Sequence, residues 1–330
     1  MTQIKYWQAV NTAMREEMTR DPRVILIGED VGAPGGSFGA SKGLQNEFGA
    51  QRVRDTPISE AAIVGTALGA AMTGYRPIVE VMFFDFTAVA MDQIVNQAAK
   101  ISYMSAGGYA APLVIRTICA SGRRTGPQHT QNLEAWFAHI PGLKVVWGST
   151  PADARGLLKA AVRDEGPVIV VESLVEWGTR GEVDLDDDGA VPIGSAAVRT
   201  EGADLTVVTW GGAAPKVLRT VDEIGEGASV EIVDLRSISP WDRETVLASV
   251  EKTGRLLIVH DAVVDFGAGA EIAAVVAEEC FDVLKAPVRR LGAPFAPSPF
   301  APQLEAAYLP HPEAIARAVT ETAQKARSAS

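Results

Sequence analysis

The chain is poor in the residues from which self-sufficient catalytic sites are built. Its 330 residues include two cysteines and four histidines, and aromatics make up only 6%. Cys119 and Cys280 lie far apart in apolar surroundings, which excludes a disulfide framework or a CxxC metal pattern and marks them as reduced core thiols. His129, His139, His260 and His311 show no close zinc-ligand spacing. His139, inside Trp136-Phe-Ala-His-Ile-Pro, reads as a packed, hydrogen-bonded residue. There is no G-x-x-x-x-G-K-[S/T] phosphate loop and no G-x-S-x-G elbow. Gly267-Ala-Gly269 follows a strand and opens a helix, but Ile272 stands where a dinucleotide fingerprint wants its third glycine. No apolar run approaches the roughly 18 residues that cross a bilayer. The start, Met1-Thr-Gln-Ile-Lys-Tyr-Trp, lacks the basic and apolar regions of a secretory signal, so a cytoplasmic protein is expected. Acidic residues outnumber basic ones 41 to 30, a balance of −11, and no Lys/Arg-rich segment occurs. Such a chain is not expected to bind nucleic acid or anionic lipid.

What is present is alternation. Short β-branched runs at Val24–Ile27, Ile78–Phe83, Leu113–Ile118, Val145–Trp147 and Val168–Val171 separate helical stretches at Ala9–Thr19, Glu60–Thr73, Thr87–Ser105 and Ala152–Asp164. Continuous apolar strands alternating with helices predict a parallel sheet covered on both faces. The pattern breaks at the acidic, turn-rich Glu182-Val-Asp-Leu-Asp-Asp-Asp-Gly, read as a solvated linker, and then resumes with strands at Leu205–Thr209, Val230–Val233, Leu256–Val259 and Val288–Leu291. Between these strands lie helices at Ala213–Ile224, Asp242–Ser249 and Ala268–Phe281, and a proline-rich tail from Ala293 is extended. The predicted fold class is α/β, with two doubly wound domains over residues 1–180 and 204–330 joined by a linker over 181–203.

Three segments are more polar or glycine-rich than packing requires. Gly28-Glu-Asp-Val-Gly-Ala-Pro-Gly-Gly-Ser-Phe-Gly39 follows a strand and so lies at the carboxyl end of the sheet, where α/β proteins place ligands; a flexible surface turn is the alternative. Asp55-Thr-Pro-Ile-Ser-Glu60 opens a helix whose Ala61, Gly65 and Gly69 form a ridge that another element can approach closely. Glu60 there is either dipole compensation in the first turn or a buried acid with a raised pKa. Ala120-Ser-Gly-Arg-Arg-Thr-Gly-Pro-Gln-His-Thr-Gln-Asn132 is a long loop of the kind that carries function, and His129 on it is a candidate for proton transfer, against a surface histidine without a role. The stretch Thr87–Ser105 carries Asp92, Asn96 and Lys100 on one face, which suits a subunit interface as well as an ordinary amphipathic helix.

Gly28-Glu-Asp-Val-Gly, Arg52-Val-Arg-Asp-Thr-Pro-Ile-Ser-Glu60, Asp92-Gln-Ile-Val-Asn-Gln-Ala-Ala-Lys100, Gln128-His-Thr-Gln131 and Pro141-Gly-Leu-Lys-Val-Val146 occur together and in order. With Asp234-Leu-Arg-Ser-Ile-Ser-Pro240 and Glu251-Lys-Thr-Gly254 further on, the chain resembles the beta subunit of the thiamine-diphosphate-dependent decarboxylase component of 2-oxo acid dehydrogenase complexes, of the pyruvate, branched-chain or acetoin type. The resemblance implies a transketolase-like pyrimidine-binding domain followed by a transketolase C-terminal-like domain. It makes Glu60 the carboxyl that hydrogen-bonds N1′ of the cofactor's aminopyrimidine, Met82 and Phe86 lining residues, and Gly28, Glu29 and Asp30 part of the cofactor-binding loop. His129 matches the loop histidine that aids proton transfer and acylation of a lipoyl group.

The family's Gly-Asp-Gly…Asn motif for Mg²⁺-diphosphate is missing here, and the resemblance puts it on an alpha subunit. The cofactor would then be shared in an α2β2 heterotetramer, inactive without the alpha chain, that serves a lipoyl-bearing acyltransferase core and a small 2-oxo acid or acetoin as substrate. Potassium, where family members bind it, matches backbone oxygens of Leu113, Ala161, Val162, Asp164 and Gly166. Arg123-Arg124, Thr130 for a commoner Ser, and Glu176-Trp-Gly-Thr-Arg180 depart from the family pattern, whereas Gly39 and Trp136-Phe137 resemble acetoin-type members. Two further readings stand beside this one. In a non-catalytic interaction subunit, Glu60→Gln would leave an assembled complex active; a thiamine-free small-molecule binder would ignore the cofactor even with an alpha chain present.

Overall fold

Runs such as Val24-Ile-Leu-Ile and Val168-Ile-Val-Val leave no face for water, and in the computed structural model, which describes residues 1–324, both are buried throughout. The first unit contains β1 (Thr2–Lys5), α1 (Tyr6–Arg20), β2 (Val24–Gly28), α2 (Leu44–Phe48), β3 (Val53–Asp55), α3 (Glu60–Met72), β4 (Arg76–Phe83), α4 (Ile101–Met104), β5 (Val114–Cys119), α5 (Glu134–Ala138), β6 (Lys144–Trp147), α6 (Pro151–Arg163) and β7 (Val168–Ser173). β8 (Arg180–Val183) and β9 (Ala197–Thr200) flank the acidic turn. The second unit adds β10 (Leu205–Thr209), α7 (Ala213–Ile224), β11 (Val230–Asp234), β12 (Ser237–Ser239), α8 (Arg243–Thr253), β13 (Leu256–Val263), α9 (Ala268–Glu279), β14 (Arg289–Ala293), α10 (Pro302–Tyr308) and α11 (Pro312–Gln324).

Two sheets result. The first has seven strands in the order β12-β6-β7-β5-β4-β2-β3, parallel except for β12; the second has five, β14-β13-β10-β11-β9, parallel except for β9. β12 belongs to the second unit in sequence yet pairs with β6 of the first, with Ser237 opposite Val146. Arg236 prolongs the junction by accepting a hydrogen bond from Trp147 N–H at its carbonyl, 2.8 Å away.

Three readings of the sequence need correction. Residues 181–203 are not a free linker: β9 pairs with β11 as an edge strand of the second sheet. Their acidic run is held by the basic face of α6, where Arg163 binds both oxygens of Asp188 at 2.6 and 2.7 Å and Arg155 donates to Asp187 O at 2.9 Å. The two guanidinium bonds from Arg163 keep the Asp188 carboxyl far below the usual range. Thr87–Ser105 is not one α-helix. It opens as a 3₁₀ turn over Phe84–Ala88, widens to a π-turn over Gln93–Ala98 and closes as α4. Ala99 N–H reaches back five residues to Ile94 O at 3.0 Å. A π-turn inserts a residue that no 3.6-residue periodicity reveals, and such turns favour functional sites. His139 is exposed at the end of α5, because Phe137 fills the inward position of that turn.

The first sheet carries charge in its interior. Arg116 on β5 is 1% exposed, yet it binds Glu172 on β7 through two bonds of 2.8 and 2.7 Å and Glu80 on β4 at 2.7 Å. Removing three charges from water costs several kcal/mol per ion, offset only because every guanidinium edge that can donate to these acids does so.

Candidate active site at the carboxyl end of the first sheet

The chain enters the first sheet at β2, adds β3 on one side and β4 on the other, so strand order reverses between β2 and β4. Ligands of open α/β sheets bind in the crevice beyond that point. The sequence places four segments there. Gly28, Glu29 and Asp30 follow β2, Glu60 follows β3, Phe86 follows β4 and His129 lies in the loop after β5. The predicted site residues thus come from the carboxyl ends of four adjacent parallel strands. Met82 is part-exposed on the last turn of β4's pleat, one residue before Phe83.

His129 sits edge-on to two rings, 4.9 Å from Phe83 and 5.3 Å from Phe86 between centroids. Phe38 stands edge-on to Phe83 at 5.3 Å, and its carbonyl accepts the Trp177 indole N–H at 2.8 Å. The glycine-rich segment is therefore a packed loop, not a flexible turn. Gly28 is required in it, since a Cβ there would come within 2.9 Å of Val31 Cγ1 and 3.0 Å of the Glu80 backbone oxygen. Farther along, a Cβ on Gly36 would stand 3.1 Å from Glu80 Oε1, so the buried charges of the sheet support the loop directly. Gly32 N–H donates to Asp55 Oδ1 at 2.6 Å, tying the loop to the segment that leads to Glu60.

Glu60 occupies the first turn of α3 and is partly exposed, so the expected burial is not supplied by this chain. The ridge beside it is open at Gly69, where a Cβ would meet nothing within 4 Å, and covered at Gly65, where one would stand 3.0 Å from Gln93 of the π-turn. Burial, and then the neighbouring Asp30 and Glu60 carboxylates, hold the Glu29 carboxyl above the usual range. Three carboxylates thus share one rim of an aromatic crevice.

The sequence reading passed over Phe83, Phe38 and Asp85. Asp85 is buried, and its Oδ1 accepts both the backbone N–H and the side-chain amide of Gln131, at 3.1 and 2.9 Å, which fixes the chain two residues beyond His129. Its Oδ2 is buried without a partner among the described residues. The signal was available: Phe83-Phe-Asp-Phe86 puts an acid and three rings directly after a buried strand at the ligand end of the sheet. Arg124 lines a separate cleft between the domains.

The positions matched to potassium behave differently. Val162 O and Asp164 O accept hydrogen bonds from the Arg76 guanidinium at 3.4 and 3.1 Å, Leu113 O accepts from Val168 N–H, and Ala161 O from Asp164 N–H. Gly166 contributes an N–H donor to Asp164 Oδ1 at 2.8 Å. The Arg76 guanidinium thus shares two of these carbonyls, each of which keeps a second lone pair. The Gly267-Ala-Gly269 turn serves packing: a Cβ on Gly269 would come within 3.0 Å of the buried His260 Nε2.

Comparison with known proteins agrees with this geometry. Residues 2–175 match the family model described as the transketolase pyrimidine-binding domain, and residues 194–315 the transketolase C-terminal domain. The chain is 43% identical over 327 residues to the 2-oxoisovalerate dehydrogenase subunit beta of Bacillus subtilis, covering 98% of this chain and 100% of the relative. It is 45% identical over 325 residues to the acetoin:2,6-dichlorophenolindophenol oxidoreductase subunit beta of Cupriavidus necator, covering 95% and 96%. A solved structure described as a split-gene transketolase, an inactive beta4 tetramer, superposes with a TM-score of 0.81 at 24% identity over 98% of this chain and all of its own, a likeness of fold. The chain belongs to the transketolase-like family of beta subunits of 2-oxo acid and acetoin dehydrogenase complexes. Its role is of the oxidoreductase type, within a family that uses thiamine diphosphate.

Proposed function

We propose that the crevice at the β2–β4 switch point is the aminopyrimidine half of a thiamine diphosphate site completed by an alpha subunit. The observation that carries this is the convergence of Glu60 and Glu29 with the Phe83–Phe86–His129 cluster at one sheet end. A flat, weakly basic heteroaromatic ring fits such a surface: the Phe rings offer apolar faces and an acid at the rim can share a proton with a ring nitrogen. When bound, thiamine diphosphate supplies the stabilised carbanion that loss of carbon dioxide from a 2-oxo acid requires. Glu60 holds the proton at N1′. Burial and then the neighbouring acids raise the Glu29 carboxyl beside it. His129, set by Asp85 through Gln131, is placed to give or take a proton at the substrate and to assist transfer of the acyl group to a lipoyl arm.

The partial exposure of Glu60 and the ridge open at Gly69 support a second chain closing over the site. That chain would bring the diphosphate and its magnesium, for which the present sequence has no motif, giving an α2β2 heterotetramer served by a lipoyl-bearing acyltransferase core. The two buried free thiols, Cys119 and Cys280, accord with work in a reducing cytoplasm. Pyruvate, branched-chain 2-oxo acids and acetoin are the substrates to compare.

The test is co-expression with the neighbouring alpha chain, followed by thiamine-diphosphate-dependent reduction of an artificial electron acceptor with each substrate. Turnover with one of them is expected, and Glu60→Gln should lower it by about 10²–10⁴-fold, the usual worth of a placed proton, with an unchanged melting temperature. Near-normal turnover in that variant would leave an interaction subunit as the better reading.

A further inference from the structure

The second sheet repeats the topology of the first. Its parallel part begins at β10, adds β11 on one side and β13 on the other, so its strand order reverses between β10 and β13. A cleft of about 420 Å³ lies beyond that switch point, walled on the far side by the histidine loop of the first domain. Domain interfaces and switch points are where ligand sites concentrate, and this volume is in their range.

The lining has two characters. Val175, Ala306, Leu309 and Pro310 make an apolar wall, and Arg124, Lys216 and Arg219 bring cations to the same space. Two of the three acids present are already engaged. Asp261 is paired with Lys216 at 2.5 Å, and the buried Glu305 accepts the backbone N–H of Arg124 on both oxygens at 3.0 and 3.1 Å. Glu176 is the third. The Arg124 and Arg219 guanidinia have no carboxylate partner among the described residues, and both residues are exposed. Arg124 also holds φ +60°, a left-handed conformation that costs a non-glycine residue of order 1 kcal/mol and persists only where surroundings enforce it. Glu305, on α10 of the other domain, is what enforces it.

We propose that this interdomain cleft is a second ligand site, for a small organic anion whose carboxylate or phosphate head lies between Arg124 and Arg219 and whose short apolar body lies on Leu309 and Val175. Arg124 and His129 belong to one loop, so occupancy of the cleft is read at His129. The site is independent of the thiamine reading and is tested without an alpha chain.

The experiment is calorimetric titration of the full chain with butyrate and with n-propyl phosphate, n-butylammonium serving as the charge control, together with proton NMR of the His129 ring assigned by His129→Asn. At least one of the two anions should bind with a dissociation constant of about 1 mM, as small ligands of this size do, and shift the His129 resonances. Arg219→Ala and Arg124→Ala, both at exposed side chains, should each weaken binding by about tenfold or more and abolish the His129 shift, while n-butylammonium stays unbound. Binding of butyrate alone or of the phosphate ester alone assigns the head group. No binding of either anion, equal binding of n-butylammonium, or affinity unchanged in both arginine variants would overturn the proposal.

Discussion

The two sheets share a plan and differ in what they carry. In each, the parallel strands reverse order beside the first of them, and each opens a crevice at that reversal. The first sheet encloses Arg116 with Glu80 and Glu172, and its crevice is rimmed by the carboxylates of Glu29, Asp30 and Glu60. In the second, Thr206 on β10 meets Ser249 and Thr253 at 2.7 and 2.8 Å, and the crevice brings Arg124, Lys216 and Arg219 together with Glu176, Asp261 and Glu305. One topology therefore supports an acidic rim and a mixed one. The loop over residues 120–132 touches both, through His129 on one side and Arg124 on the other.

The contrast is sharpened by variants that attack each part. After Glu60→Gln, the largest effect is expected from Arg116→Met. It strands two buried carboxylates, so urea unfolding should register a loss of about 3–5 kcal/mol, whereas a comparable apolar truncation spares the glycine loop that rests on Glu80. A loss below about 1 kcal/mol would mean the sheet's interior charges are not structural.

Glu134→Gln probes the seam between the sheets. Glu134, on α5, accepts the indole N–H of Trp210 from beyond β10 at 3.1 Å, and its other oxygen is buried without a partner among the described residues. Burial raises its carboxyl to about 7. The unfolded chain ionises at the ordinary value near 4.3, so between these pH values the folded state binds the extra proton. Its stabilising contribution is complete below the ordinary value and is lost as pH rises through about 7. The amide variant keeps the acceptor without the charge. It should match the parent near pH 4 and exceed it by up to about 3 kcal/mol at pH 8, seen as diverging melting temperatures. Parallel pH profiles would place the titration elsewhere.

The smallest effect is expected at Asp85, which positions His129 without meeting substrate. Asp85→Ala removes both bonds to Gln131 and should lower kcat of the assembled enzyme by about tenfold with little change in KM. Asp85→Asn, which retains an acceptor oxygen, should restore most of it. Equal defects in both variants would point to lost charge in place of lost geometry.

The alternation of apolar runs with helical stretches was legible because both periods are local. Leu205–Thr209 and Ala213–Ile224 fall where the sequence puts them. β1, β3, β8, β9 and β12 escaped because, unlike the equally short but apolar β6, they mix polar residues into three or four positions, and β12 escaped twice, since its partner β6 lies in the other domain. The π-turn over Gln93–Ala98 escaped because an extra residue per turn erases the stripe on which a helix is recognised. Glu60 and His129 were singled out from their chemistry at strand ends, and Glu29 only through the loop that holds it. Asp85 and Phe83 were not, because an acid beside phenylalanines reads as packing until the fold sets Gln131 against it. The linker misled for a related reason: its aspartates looked solvated, while the cations that hold them come from α6, earlier in the chain.

β12 has a consequence for the order in which the protein is made. Synthesis runs from the amino end, so β6 leaves the ribosome about 90 residues before the strand that covers its free edge, and until then it offers unpaired amides and carbonyls to any passing chain. A gene cut between the two domains would therefore not yield two tidy halves. The first product would keep an open, sticky border, and the joint between the domains serves newborn chains as a guard against wrong pairing.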